Sequence, residues 1–285
     1  MQIKQPDRNT LDIMCSCSFA EDRSFVCMSD VHFDSIKCDV ALFEQHLAMA
    51  ESLNAPVLIA GDLFDAMQGH DDPRRSLEEL KHEYKHDNYL DLLVLDVAKT
   101  LLKYKVTYII GMGNHESKVQ EKMNTNLTER LCYAVNTGGG HSYSMGYWGF
   151  IRFSFKYKKG TSVWKKIMYW HHGLGGNSPV TKGVIDSNRQ AVYLPEADIV
   201  VNGHNHQQYT LPIPRYKLAN NGVPYQENQW HVRTPSYKMS GLLAGDRTGF
   251  DVEKHPAPAP RGCVRIDWHF EKNDGVRITP IALLL

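Results

Sequence analysis

Five short segments place carboxylates, imidazoles and one carboxamide directly after apolar runs. They are Asp30 and His32 in SDVHF, Asp62 and Asp65 in GDLFD, Asn114 and His115 in GNHE, His171 and His172 in YWHHG, and His204 and His206 in GHNH. All are metal-type ligands, and imidazole with carboxylate is a donor set for divalent transition metals. Side chains two apart on an extended segment point the same way, so Asp30 with His32, and His204 with His206, are each expected to converge. Taken singly, each fragment has a plainer reading. A Gly-Asp after a strand can simply start a loop, Asn114 after glycine can occupy a left-handed turn, and His171 or His172 can be a hydrogen-bonded core histidine. Five such segments in series, three of them carrying glycine at the turn, predict one metal site.

A site assembled from segments so far apart needs a sheet whose strand ends converge. The sequence reads as β-α-β: SFVCMSD is a short apolar strand, ALFEQHLAMAESL has apolar residues at helical spacing, and PVLIAGD is a second buried strand stopped by glycine. A charged stretch from Asp71 leads into the periodic run YLDLLVLDVAKTLL, read as a long helix, and VTYIIGMGNHE is a third strand. Beyond about residue 140 the texture turns alternating and aromatic, which predicts a mostly antiparallel sheet. The expected organisation is an N-terminal extension over 1–24 packed on one domain over 25–285, with a helical excursion at about 66–103. In open α/β sheets ligands bind at the carboxyl ends of the strands, where all five segments fall.

Composition excludes some classes. Lys plus Arg equals Asp plus Glu at 32 each, so no global field recruits nucleic acid or an anionic membrane, and any polyanion must be met locally. No apolar run reaches the length of a membrane span. Cys15, Cys17, Cys27, Cys38, Cys132 and Cys263 show no Cys-x-x-Cys pair and no framework spacing, which points to reduced thiols and a cytoplasmic location.

Asp30-x-His32, Gly61-Asp62-x-x-Asp65, Gly113-Asn114-His115-Glu116, His171-His172-Gly173 and Gly203-His204-x-His206 resemble, in order, the five motifs of the calcineurin-like metallophosphoesterase family. The resemblance spans residues 25 to about 210. It implies a four-layer α/β/β/α sandwich with a dinuclear metal site at the C-terminal edge of the strands. Carried over by position, it implies one ion on Asp30, His32 and His206, a second on Asn114, His171 and His204, and Asp62 bridging the two. His171 is chosen over His172 because the family's ligand is commonly followed by one variable residue and then Gly or Pro; His172 then becomes a group behind the ligands or a substrate contact. The implied cofactors are two divalent transition-metal ions, manganese first, with iron, zinc, nickel or cobalt as alternatives. The implied reaction is phosphoester hydrolysis through a metal-bridging hydroxide, with His115 as the protonated catalytic group and Asp65 orienting it.

For substrate, Ala66 follows GDLFD where the family's protein phosphatases have Arg-Gly, which argues against phosphoproteins. The run LIAGDLFDA and the fourth motif are more similar to the nuclease of the double-strand-break repair complex, although Glu116 stands where that enzyme has Asp. Two segments also resemble phage-encoded metallophosphoesterases. The expectation is therefore a phosphodiesterase with DNA or RNA leading. Small-molecule or cyclic-nucleotide diesters and monoesters follow, and a non-catalytic binding module on the same scaffold comes last. Arg74, Arg75, Lys182 and Arg189 are the candidate phosphate contacts, with His172, Asn177 and Tyr193 beside them.

Overall fold

The computed structural model describes residues 1–19, 21–66, 78–173, 181, 183–219, 221–239, 258–271 and 275–285. Two sheets stack face to face. The first contains β3 (Arg23–Met28), β4 (Val57–Ile59), β5 (Thr107–Ile110), β6 (His141–Ser144), β12 (Gly262–Glu271) and β13 (Gly275–Leu284), in the order β13-β12-β3-β4-β5-β6. The second contains β1 (Gln2–Asp7), β2 (Thr10–Cys17), β7 (Trp148–Tyr157), β8 (Val163–His171), β9 (Ile199–Asn202), β10 (Tyr209–Leu218) and β11 (Pro224–Arg233), in the order β1-β2-β7-β8-β9-β11-β10.

Continuous apolar runs in β3, β4 and β5 are explained by burial on both faces. Val26, Met28, Val57, Ile59, Tyr108 and Ile110 point outward into a core shared with α1 (Val40–Ser52), α2 (Tyr89–Leu102) and α4 (Leu127–Thr137). Phe25, Cys27, Leu58 and Ile109 point the other way and meet Ile13, Ile151, Phe153, Met168, Trp170 and Val201 of the second sheet. Helix α1 starts where Asp39 accepts from the Leu42 backbone N–H at 3.1 Å, an N-cap that satisfies one orphan donor. Helix α2 coincides with the periodic run read from the sequence. No helix among the described residues is long and apolar enough to cross a membrane.

Residues 2–17 form a hairpin that extends the second sheet, with β2 parallel to β7. The later part carries both pairings: β7 with β8, β10 with β11 and β12 with β13 run antiparallel, as expected, while β5 with β6, β8 with β9, and β9 with β11 run parallel. Helix α5 (Val184–Tyr193) supplies the crossover between the parallel strands β8 and β9. It is tied down through Gln190 to Asn202 at 3.0 Å and Ser187 to Tyr209 at 2.7 Å. In the stretch read as a helical excursion, the described part holds a short 3-10 turn, His82–Tyr84, before α2.

Candidate metal centre

The strand ends reach a common edge, and the ligand residues lie just beyond them in loops rather than on extended chain. Asp30, His32, Asp62, His204 and His206 all have left-handed backbones, with φ of 53°, 51°, 51°, 77° and 57°. The extended-chain alternation expected for the two pairs is therefore overturned. Asp30 and His32 converge anyway, because the loops are laced together: Asp30 N donates to Gly61 O at 3.0 Å, His32 N to Asp62 O at 3.1 Å, and Gly203 N to His172 O at 2.8 Å. Gly113 is required by close approach, since a Cβ there would sit 2.0 Å from Asp62 Oδ1.

Two groups of metal-type ligands form at this edge, Asp30 with His32 and His206, and Asp62 with His172 and His204. His204 and His206 thus belong to different groups. Asn114 joins the second, its Oδ1 lying 3.0 Å from His172 Nε2 and 2.8 Å from His204 Nδ1. A third cluster combines His32, Asp65 and His115.

The geometry corrects the choice between the adjacent histidines. Strand alternation along β8 puts His172 on the inward face with buried Met168 and Trp170, while His171 shares the outward face with Tyr169. His172 is fully buried and lies 3.2 Å from Asp62 Oδ2 through Nε2. Its Nδ1 donates to the Ala60 carbonyl at 2.8 Å, which fixes the tautomer whose Nε2 lone pair aims at the second group. His171 instead accepts the Gly173 N–H on Nδ1 at 2.9 Å, away from Asp62 and Asn114. Full burial also removes His172 from the expected role of substrate contact.

The donor set fits divalent cations. Asp30 Oδ1 is buried and accepts no hydrogen bond among the described residues, while its Oδ2 accepts from His204 N at 2.9 Å. His32 and His206 turn their Nε2 atoms towards each other at 3.3 Å. His32 Nδ1 donates to Asp65 Oδ1 at 2.8 Å, leaving Nε2 facing the first group, the second-sphere carboxylate arrangement found at metal-bound histidines. Electrostatics agree. Burial works against the Asp30 carboxylate, but the nearby His206 imidazole, with His172, brings its pKa down to about 2. Asp62 is likewise buried yet held well below the ordinary carboxylate range by His115 and His172. Burial would lower His172, but Asp62 and then Asp30 push it up to about 10, the response of an anionic cage to any cation within it. Burial brings His32 down to about 4 despite Asp65.

Asp65 does not divide its side chain as expected. Its carboxylate pairs mainly with His32, and its backbone carbonyl accepts the His115 Nδ1–H; the carboxylate lies 3.5 Å from that nitrogen. His115 therefore presents Nε2 to the site, 3.7 Å from Asp62 Oδ2. Burial disfavours its imidazolium, but Asp62 and Asp65 outweigh this and raise its pKa.

Several supporting residues escaped the sequence reading. Asn114 opens α3 (Asn114–Met123), and Glu116 in its first turn is fully buried. Glu116 accepts from Gly113 N at 2.8 Å, Phe64 N at 3.0 Å and Asp62 N at 3.1 Å. Burial and then Asp62 raise its pKa to about 7. The capping-box spacing, Gly113 to Glu116, was the available signal. Removing this acceptor strands three buried N–H groups, so Glu116→Ala is expected to cost about 3–5 kcal/mol in urea unfolding measured in EDTA. Glu116→Gln, which keeps an acceptor oxygen, should cost less. Asp34 plays a parallel part, accepting from Asp65 N at 2.6 Å and Ala66 N at 3.0 Å. From the carboxyl-terminal part come Ser236, donating to Asp30 O at 2.8 Å, and Lys238, 3.6 Å from Asp65 Oδ1 and 3.2 Å from Glu79 Oε2. A lone lysine in TPSYK carries no sequence signal for that position.

Of the expected phosphate contacts, Arg189 is exposed on α5, and Tyr193 at its end is 64% exposed. Arg74, Arg75, Asn177 and Lys182 lie outside the described residues.

A family model described as calcineurin-like phosphoesterase matches residues 23–208. No curated protein matches the chain. Among solved structures, the chain is similar to GAP50, the anchor in the inner membrane complex of Plasmodium, at 11% identity and TM-score 0.46, covering 92% of this chain and 84% of that one. It is also similar to Vps29 of Chaetomium thermophilum, at 6% identity and TM-score 0.37, covering 92% and 96%. A third is a conserved uncharacterized protein (predicted phosphoesterase) from Streptococcus pneumoniae TIGR4, at 10% identity and TM-score 0.33, covering 92% and 99%.

Proposed function

The chain belongs to the calcineurin-like phosphoesterase family, whose model spans well over half of it, and from that premise we propose that it hydrolyses phosphodiester bonds with two divalent metal ions, nucleic acid being the leading substrate. Asp30, His32 and His206 would hold one ion, Asn114, His172 and His204 the other, with Asp62 shared. Manganese is the first choice of metal. Such a pair supplies Lewis acidity, making water a usable nucleophile near neutral pH and neutralising charge on a phosphoryl oxygen.

The observation that carries the reading is the division of one edge into two ligand groups with the His115 imidazole beside them, its pKa raised by Asp62 and Asp65 against the effect of burial. His115 is fixed through Nδ1 to the Asp65 carbonyl, so the proton on Nε2 is the one available to a leaving alkoxide. Asp62 Oδ1 accepts the His115 backbone N–H at 3.0 Å, which seats that residue against the shared ligand. Lys238 and Asp65 keep His32 oriented from behind. Diester preference is supported at Ala66, a buried methyl where a phosphate-clamping arginine would serve a dianionic monoester better than a monoanionic diester.

The test is His115→Ala. Metal content by mass spectrometry is expected to stay at the parent's level while turnover of bis-p-nitrophenyl phosphate with manganese falls on the order of a hundredfold. An unchanged rate removes His115 from the chemistry. Assays on single-stranded DNA, a cyclic nucleotide and a monoester rank the substrates, and activity on the monoester alone overturns the diester assignment.

A further inference from the structure

A strip of aromatic rings leaves the metal edge along the outward face of the seven-stranded sheet. It starts at Tyr147, whose ring centroid is 5.4 Å from that of His172 and 5.2 Å from that of His171. Trp148 follows, paired with His171 across β7 and β8. Its ring lies 6.3 Å from Tyr169 and 6.2 Å from Phe150, which are 5.0 Å from each other. Alternation accounts for the arrangement: Trp148 and Phe150 point outward because Gly149 and Ile151 point into the core, and Tyr169 is outward between buried Met168 and Trp170. Tyr193, at the end of α5, stands near Tyr169.

Trp148 is 42% exposed and Tyr193 64% exposed. Large aromatic surface left in water next to a site marks contact with something flat and partly apolar. Farther along the same outward face stand Arg152, Lys156 and Lys165, all exposed, with Asp12 paired to Arg152 at 2.6 Å. Ring faces near the site and positive charge beyond it are the combination that holds a single strand, bases on the rings and phosphates on the cations. A duplex keeps its base faces stacked and hidden.

We propose that this face is a binding track for single-stranded nucleic acid, guiding bases over Tyr147, Trp148 and Tyr169 towards the metal edge. The assignment rests on the phosphodiesterase reading above. The track explains how a chain of zero formal net charge can hold a polyanion, because the stacking contribution does not depend on net charge.

Binding is measured without catalysis, by fluorescence anisotropy of a labelled single-stranded oligodeoxynucleotide in EDTA, with the matching duplex alongside. Cleavage of the same strand is followed separately with manganese. The parent is expected to prefer the single strand, and Trp148→Ala to weaken binding about tenfold, the equivalent of one stacked base. Trp148→Tyr should restore most of it, which separates loss of a ring face from loss of the fold. Lys165→Glu should weaken binding and flatten its salt dependence. No binding of the single strand, a preference for duplex, or parental affinity in Trp148→Ala overturns the track. If the strand binds through Trp148 but is never cut, the track stands and the nuclease reading falls. If it is cut while Trp148→Ala binds as the parent does, the nuclease reading stands and the track falls.

Discussion

Replacing Asp62 by asparagine is expected to abolish retention of the metal pair and to lower diester turnover by on the order of a thousandfold or more. The substitution is nearly isosteric. The new side chain would keep an oxygen for the His115 backbone N–H, which Asp62 Oδ1 now accepts at 3.0 Å, so the loop and the start of α3 should survive. What is lost is charge. The native carboxylate stays ionised in full burial, supported by His115 and His172, and it faces His172 Nε2 at 3.2 Å. A carboxamide offers a donor at one of its two positions and cannot serve as the shared anionic ligand. Metal per chain by mass spectrometry, read beside initial rates, checks this. A variant with two ions and a rate within about tenfold of the parent would refute the role assigned to Asp62.

The second large effect distinguishes two neighbours. His172→Ala should lose one ion and lower the rate on bis-p-nitrophenyl phosphate by on the order of a hundredfold or more, whereas His171→Ala should stay within about threefold. The reason lies in their hydrogen bonds. His172 donates through Nδ1 to the Ala60 carbonyl and aims Nε2 at Asp62 and Asn114, while His171 uses Nδ1 to accept from Gly173 on the opposite face of β8. The converse outcome, metal lost only with His171, inverts the assignment. Both variants are compared in urea unfolding without metal, because His172 also contributes buried packing.

The same pair shows how much was legible in advance. Family spacing favoured His171, but the period-2 pattern of MYWHH already put the second histidine in line with Met168 and Trp170, so strand alternation was the better guide. Elsewhere the readable parts were those with strong periodicity. Helix α2 and strands β3, β4 and β5 bury complete faces, and their apolar residues say so. The β1–β2 hairpin did not announce itself, since QIKQPD is an exposed edge strand with little apolar signal. Strand β10 carries Pro212 and Pro214, which weaken a strand reading and are tolerated because it lies at the sheet edge. In the site, ligand types were visible in the motifs. Their supports were not, because Ser236, Lys238 and Asp34 act through contacts distant in sequence that no local pattern encodes.

The left-handed backbones of Asp30, His32, Asp62, His204 and His206 carry a further consequence. Glycine would relax at every one of these positions, and aspartate and histidine hold such angles only at some energetic disadvantage. Glycine would nevertheless strand what these side chains hold, since Asp62 accepts the His115 N–H and Asp30 the His204 N–H, so the unloaded protein should gain no heat resistance from the exchange. Coordination shell and loop conformation are thus one unit, and a ligand cannot be traded for an easier backbone without unpinning the turn beside it.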